Sequence, residues 1–245
     1  MPQKRRFGPS LGLFLLSLAL ITWPAHPCAA EAVGSPAGIL KKGQWLMGLD
    51  VGGLFGRGLK GDASAMIYQA GHFRGYGLTD RLTLYGKIGG AYLAVDDPSI
   101  KKTDGSTTHR FNAGIVVDVG LNGRLWQNAK KDWEWDGSLH YLDIRAKHRN
   151  GDDGHWREGV LATSVAKSFG RLKPYVGAEY SMVHMSFKIR QNGALLQQGK
   201  YQAASRAGPF FGVDYTWGRA EDVTLNIESA YLDGFGLNVA VNYTF

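Results

Sequence analysis

Apolar and polar residues alternate with a period of two along most of this chain. Residues 236–245 read GLNVAVNYTF, which sets Leu237, Val239, Val241, Tyr243 and Phe245 on one face. Asn238, Ala240, Asn242 and Thr244 fall on the other. The same pattern sets Phe111, Ala113, Ile115, Val117, Val119 and Leu121 against Arg110, Asn112, Gly114, Val116, Asp118 and Gly120. Period two belongs to extended strands, whose successive side chains point to opposite sides of a sheet. Ten such segments are predicted, near 44–56, 65–77, 82–95, 109–121, 133–146, 156–169, 172–189, 203–217, 222–232 and 236–245.

The connections fall into two sets. Those at 78–81, 170–171 and 218–221 are short, and 122–132 is longer. The alternate connections, 57–64, 96–108, 147–155 and 190–202, are polar and mostly longer, ending with the short 233–235. Tight turns at one end and variable polar loops at the other describe an up-and-down transmembrane barrel. An even number of strands brings both ends of the sheet to the tight, periplasmic side. Closure has a physical reason: lipid offers no partner to backbone N–H and C=O groups, and a closed sheet leaves none bare.

A soluble β-sandwich or a lipocalin-like barrel would also alternate. Its apolar face would fill the interior and its exterior would be charged. Here the second face holds Gly, Ala, Ser, Asn and Asp with isolated charges, which suits a narrow polar lumen. Aromatic residues gather near strand ends at Trp45, Tyr76, Trp133, Trp156, Tyr175, Trp217, Tyr231, Tyr243 and Phe245, as girdles at two membrane interfaces would require. The expected fold is all-β: a closed antiparallel up-and-down transmembrane β-barrel of about ten strands, with eight as the alternative.

Composition narrows this further. Gly makes up 34 of 245 residues, about twice the usual share. Aromatics at 12% exclude disorder, and the glycine content disfavours a helical bundle. Lys4, Arg5 and Arg6 precede an apolar run at 11–23, and small residues Cys28, Ala29 and Ala30 follow. This is the layout of a secretory signal peptide over 1–30, and the run is short of the roughly 20 residues of a spanning helix. The remainder divides into a loose periplasmic lead-in at 31–43 and the barrel at 44–245. Cys28 is the only cysteine, so disulfides and thiol chemistry leave with the leader. Three basic residues leave too, so the net charge falls from +7 to +4. Dispersed charge of that size in an exported chain predicts no nucleic-acid partner.

The final strand carries a resemblance. A terminal aromatic at Phe245, a second at Tyr243 and alternating Val241, Val239 and Leu237 behind them resemble the C-terminal targeting strand of bacterial outer-membrane β-barrel proteins. The segment 75–90 (GYGLTDRLTLYGKIGG) is similar to the strand-turn-strand repeats of small opacity-type, porin-like barrels. The resemblance implies a bacterial outer-membrane location after Sec-type export. It implies lipopolysaccharide and other outer-membrane lipid as surroundings, and recognition of Phe245 and Tyr243 by the barrel-assembly machinery.

Alternation assigns Asp50, His72, Arg74, Lys87, Arg110, Asn112, Asp118, Asp136, His140, Glu179, Asp214, Asn226 and Glu228 to the lumen. Mixed acids and bases in a narrow barrel favour a salt-bridged plug. The expected role is structural, or interaction through the outer loops. A narrow porin-like conduit for small polar solutes is the first alternative. An outer-membrane enzyme is the second. Omptin-type proteases resemble this chain in strand count, and lipid A deacylase barrels use Ser and His on one strand face, as His184 and Ser186 are placed here. His140 and Asp143, three apart, point to opposite faces. Asp152, Asp153 and His155 read as a solvated loop tip. No catalytic residue, metal ligand or cofactor is assigned.

Overall fold

The computed structural model describes residues 38–100, 105–148, 151–191, 194–204, 206–218 and 222–245. The predicted leader and the first part of the lead-in lie outside them. The described residues hold eleven strands: β1 (Trp45–Gly58), β2 (Ser64–Thr79), β3 (Leu82–Asp96), β4 (Thr108–Gln127), β5 (Trp133–Lys147), β6 (Asp153–Lys167), β7 (Leu172–Gln191), β8 (Ala194–Gln202), β9 (Ala207–Trp217), β10 (Val223–Tyr231) and β11 (Phe235–Thr244). Ten of them close one antiparallel ring, β1 to β7 in order and then β9, β10 and β11, which pairs back onto β1. The barrel read from the pattern is therefore the barrel found.

Three boundaries differ. β4 runs on to Gln127, which shortens the connection to β5. β6 begins at Asp153, so Asp153 and His155 lie on a strand rather than in a loop. β8, Ala194–Gln202, falls within the stretch 190–202 that the pattern reads as loop. Its outward side chains include Gln198, Lys200 and Gln202, and Gly199 stands on the inner face. No apolar face marks it as a strand.

β8 changes the barrel's cross-section. The tight-turn end, the turn end, holds 80–81, 128–132, 168–171, Gly218 and Asp222; the opposite end is the loop end. β7 pairs with β9 over its turn-end half and with β8 over its loop-end half. Above the short β10–β11 hairpin, β8 closes directly onto β1: Leu59 bridges to Ala203, Lys60 N donates to Gln202 O at 3.0 Å, and Ala204 N donates to Gly58 O at 2.9 Å. The ring has ten strands at the turn end and eight at the loop end. Eight strands leave an interior just wide enough for side chains to fill.

The high glycine content has a packing role in the lumen. The Phe73 ring lies over Gly48, where a Cβ would stand 2.5 Å from it, and the Tyr175 ring lies over Gly212 at 2.4 Å. Each pair sits directly opposite across neighbouring strands. A side chain in place of either glycine would displace the ring from the lumen.

The two faces exchange character along the strands. On β5 the outward residues are Trp133, Trp135, Leu139 and Tyr141, followed by Asp143, Arg145 and Lys147. Its inward residues are Glu134, Asp136, Ser138 and His140, followed by Leu142, Ile144 and Ala146. β7 changes at the same level, from Val176, Tyr180 and Met182 outward to His184, Ser186 and Lys188. Inward it passes from Tyr175, Glu179 and Ser181 to Val183, Met185, Phe187 and Ile189. The turn-end section is apolar outside and polar inside. The loop-end section is polar outside and apolar inside, as a water-soluble barrel would be.

Candidate functional site

The turn-end lumen carries one continuous polar chain. Arg124 bonds Asp136 through Nε at 2.9 Å and Glu134 through Nη2 at 2.8 Å. Lys173 Nζ lies 3.5 Å from Glu134 and 3.4 Å from Asp214. Asn226 Nδ2 donates to Asp214 at 2.7 Å and to the Tyr175 hydroxyl at 2.8 Å. Tyr175 in turn donates to Glu228 at 2.8 Å. Alongside runs a second pair, Lys87 Nζ to Asp50 at 3.0 Å, and His140 Nδ1 lies 3.5 Å from Asp118. Glu179 is buried and neither carboxylate oxygen has a hydrogen-bond partner among the described residues. Burial desolvates all of these groups; ion pairing offsets that cost for the paired ones and not for Glu179.

Asp50, Lys87, Asp118, Asp136, His140, Glu179, Asp214, Asn226 and Glu228 thus stand inside the barrel, as alternation places them. His72 and Arg74 do not. They lie on the outer face, where Arg74 Nε donates to His72 Nε2 at 3.1 Å, and Phe73 between them turns inward. Gly71, Gly75 and Gly77 flank this stretch, so it lacks the apolar markers that fix a face. Arg110 is also exposed, between buried His109 and Phe111. The cause is a one-residue shift in the β3–β4 ladder, where Leu93 pairs with Phe111 but Ala91 pairs with Gly114. The Asn112 side chain lies outside what the structure describes. Trp156 and Tyr175, expected in the girdles, are interior.

Residues missed at the sequence level include Arg124, Glu134, Lys173 and Tyr175. Lys173 and Tyr175 lie at even spacing from Glu179, and that spacing was the available signal. Arg57 was missed as well. It is wholly buried where the ring narrows from ten strands to eight, donating to Leu232 O and, at 3.3 Å, to Ser181 Oγ. Ser181 donates to Glu158, which also accepts from Trp156 Nε1 at 3.0 Å.

Above Arg57 the lumen is filled by apolar side chains. Leu93, Phe111, Ile144, Trp156 and Met185 are at most 1% exposed and belong to one packed cluster that spans β1 through β7. Tyr201 of β8 closes it, stacked on Phe187 with centroids 5.3 Å apart and its hydroxyl bonded to Asp97. At the turn end the described part of the lead-in, 38–43, is seated on the barrel. Leu40 is buried among Leu46, Phe73 and Ala240, and its N–H donates to Thr83 Oγ1 at 2.9 Å.

The outer wall above the apolar band forms a polar field on β5, β6, β7 and β8. Pairing aligns Asp143, Arg157, His184 and Gln202 in one row and Arg145, His155, Ser186 and Lys200 in the next. A third row holds Lys147, Asp153, Lys188 and Gln198. Asp143 accepts from His155 Nε2 at 2.8 Å and from Arg145 Nε at 2.9 Å. His184 and Ser186 share this outer face, and His140 lies inside with Asp143 outside. Among the described residues no group of three or more His, Cys, Asp or Glu is placed to hold a metal ion.

In the turn 128–132, Asn128 Nδ2 donates to the exposed Asp132 carboxylate at 2.6 Å and holds that carboxyl below the usual range.

No family model matches the sequence, and no curated protein matches it. Solved structures do. The outer membrane protease OmpT from Escherichia coli is similar at 8% identity, over 82% of this chain and 96% of that one, with a TM-score of 0.47. The transport unit of the autotransporter AIDA-I from Escherichia coli is similar at 12% identity, over 98% and 100%, with a TM-score of 0.43. The outer membrane protein OprG from Pseudomonas aeruginosa is similar at 10% identity, over 84% and 98%, with a TM-score of 0.40.

Proposed function

We propose that this chain is an integral bacterial outer-membrane β-barrel whose lumen does not conduct and whose working surface is its outward end. The leader at 1–30 directs Sec-type export, and the strand ending at Phe245 presents Tyr243 and Phe245 to the barrel-assembly machinery. The outer apolar band supports the location. On β5 it runs from Trp133 to Tyr141, nine residues, and a tilted membrane-crossing strand needs about 9–11. Aromatic contacts edge it on both sides, Trp45 with Tyr76 at one end and Phe55, Tyr68 and Tyr92 at the other.

The observation that carries the non-conducting reading is the apolar cluster across the eight-stranded section. An ion or polar solute entering from the turn end would meet the packed side chains of Leu93, Phe111, Ile144 and Trp156, each at most 1% exposed. The role is then structural, or exerted on partners through the outer loops and wall. Reconstitution in planar bilayers tests this. The expected result is no steady conductance, together with heat-modifiable migration that reports a folded barrel. Reproducible single-channel steps from the folded protein would overturn it.

A further inference from the structure

The polar field on β5–β8 is more than a wet surface. It frames an open hollow of about 800 Å³, whose rim includes Arg145, Lys147, His155, Ser186, Lys188 and Lys200. Five cations occupy the field's twelve outward positions against two carboxylates, Asp143 and Asp153. Asp143 is held by Arg145 and His155, and Lys147 lies 3.9 Å from Asp153. Arg157, Lys188 and Lys200 make no ion pair among the described residues, so three cations face outward uncompensated.

The wall beneath supplies a second, independent feature. On the same side, an apolar groove of about 620 Å³ runs over the outer surface of β4–β7, lined by Leu121, Leu125, Trp135, Leu139, Leu161 and Tyr180. Arg145 and Leu139 are six residues apart on β5, roughly 20 Å along the strand. A basic hollow and an apolar groove that follow one another along the same three strands, β5 to β7, match one kind of ligand: an amphiphile with an anionic head and acyl chains. Among the described residues the far side of the barrel differs. There the upper edge of the band is the aromatic group Phe55, Tyr68 and Tyr92.

Resting on the outer-membrane reading above, we propose that the β5–β8 wall is a binding site for one lipopolysaccharide molecule. The lipid A phosphates sit among Lys188, Lys200 and Arg157, and the acyl chains lie in the groove below. Phosphate oxygens accept charge-assisted hydrogen bonds from ammonium and guanidinium groups, which are stronger than neutral ones. Ser186, between His155 and Lys200 in the same row, adds a hydroxyl donor.

The test uses the full chain purified in detergent, with bound lipid counted by native mass spectrometry. The probes are bis-phosphorylated lipid A, dephosphorylated lipid A, phosphatidylglycerol and inorganic phosphate. Retention of one bis-phosphorylated lipid A, at least tenfold above the other three, is expected. Lys188→Glu with Lys200→Glu should abolish that preference, and Lys41→Glu at the turn end should leave it. Lys188→Gln with Lys200→Gln keeps the test open if the charge reversal impairs folding. Equal retention of dephosphorylated lipid A, or an unchanged preference in both double variants, overturns the site. A chain that folds and inserts into liposomes but shows no preference fails this inference alone; one that does not insert fails the reading beneath it.

Discussion

The turn-end and loop-end sections of this barrel are built from the same strands and obey opposite rules. Below the level of His140 and Tyr141 on β5, charge lies inside and hydrocarbon side chains outside; above it the arrangement reverses. Alternation alone does not distinguish the two, since both are period-two strands. What differs is the solvent each outer face meets. The level at which both faces exchange character on β5 and β7 therefore marks the boundary of the apolar medium. The two lumen sections are also stabilised differently. The ten-stranded section is held by paired charges whose desolvation is expensive, and the eight-stranded section by close packing.

Breaking the packed section should have the largest effect. Trp156→Ala removes a fully buried ring from the cluster and should cost about 3–5 kcal/mol, read by urea unfolding in detergent micelles. In the charged section, Lys87→Met leaves Asp50 buried without that cation and should cost about 3 kcal/mol or more. Adding Asp50→Leu should recover most of it, an outcome with no counterpart in the packed section. On the outer wall, Leu161→Arg places a charge where the side chain is 60% exposed within the band and should cost about 2–4 kcal/mol. Ser186→Arg, on the neighbouring strand above the boundary, should fall within about 0.5 kcal/mol of the parent. Equal costs at the two positions would erase the boundary.

Smaller effects sharpen the picture. Glu179→Met removes a buried carboxylate that has no hydrogen-bond partner among the described residues and should stabilise the protein by roughly 1 kcal/mol, seen as a higher unfolding midpoint. In the turn 128–132, Asp132 is held below its ordinary value by Asn128. A depressed carboxyl contributes stability above the unfolded value, and the contribution is lost as pH falls through the folded one. Asn128→Ala should therefore raise the Asp132 titration midpoint measured by NMR and flatten that part of the acid limb.

The ring, its strand order and most lumen carboxylates were legible because one rule, apolar outward and polar inward, holds through the turn-end section. Asp50, Asp118, Glu179, Asp214 and Glu228 follow it. The rule failed at Arg110, where a ladder shift exchanges faces, and at His72 and Arg74, where glycines remove the markers and the inward residue is aromatic Phe73. It also hid the loop-end core. Trp156 read as girdle because the reversal of solvent above Tyr141 leaves no mark in a period-two pattern. β8 was invisible for a related reason, its outward side being polar and its inward side holding Gly199 beneath the Phe187 ring.

The central claim is that the outer wall passes from hydrocarbon to water between Tyr141 and Asp143. Single cysteines at 139, 141, 143, 145 and 147, carrying nitroxide labels in lipid bilayers, test it by collision with oxygen and with a water-soluble nickel complex. Oxygen should dominate at 139 and 141 and the nickel complex at 143, 145 and 147. A uniform ratio across the five positions would contradict the account.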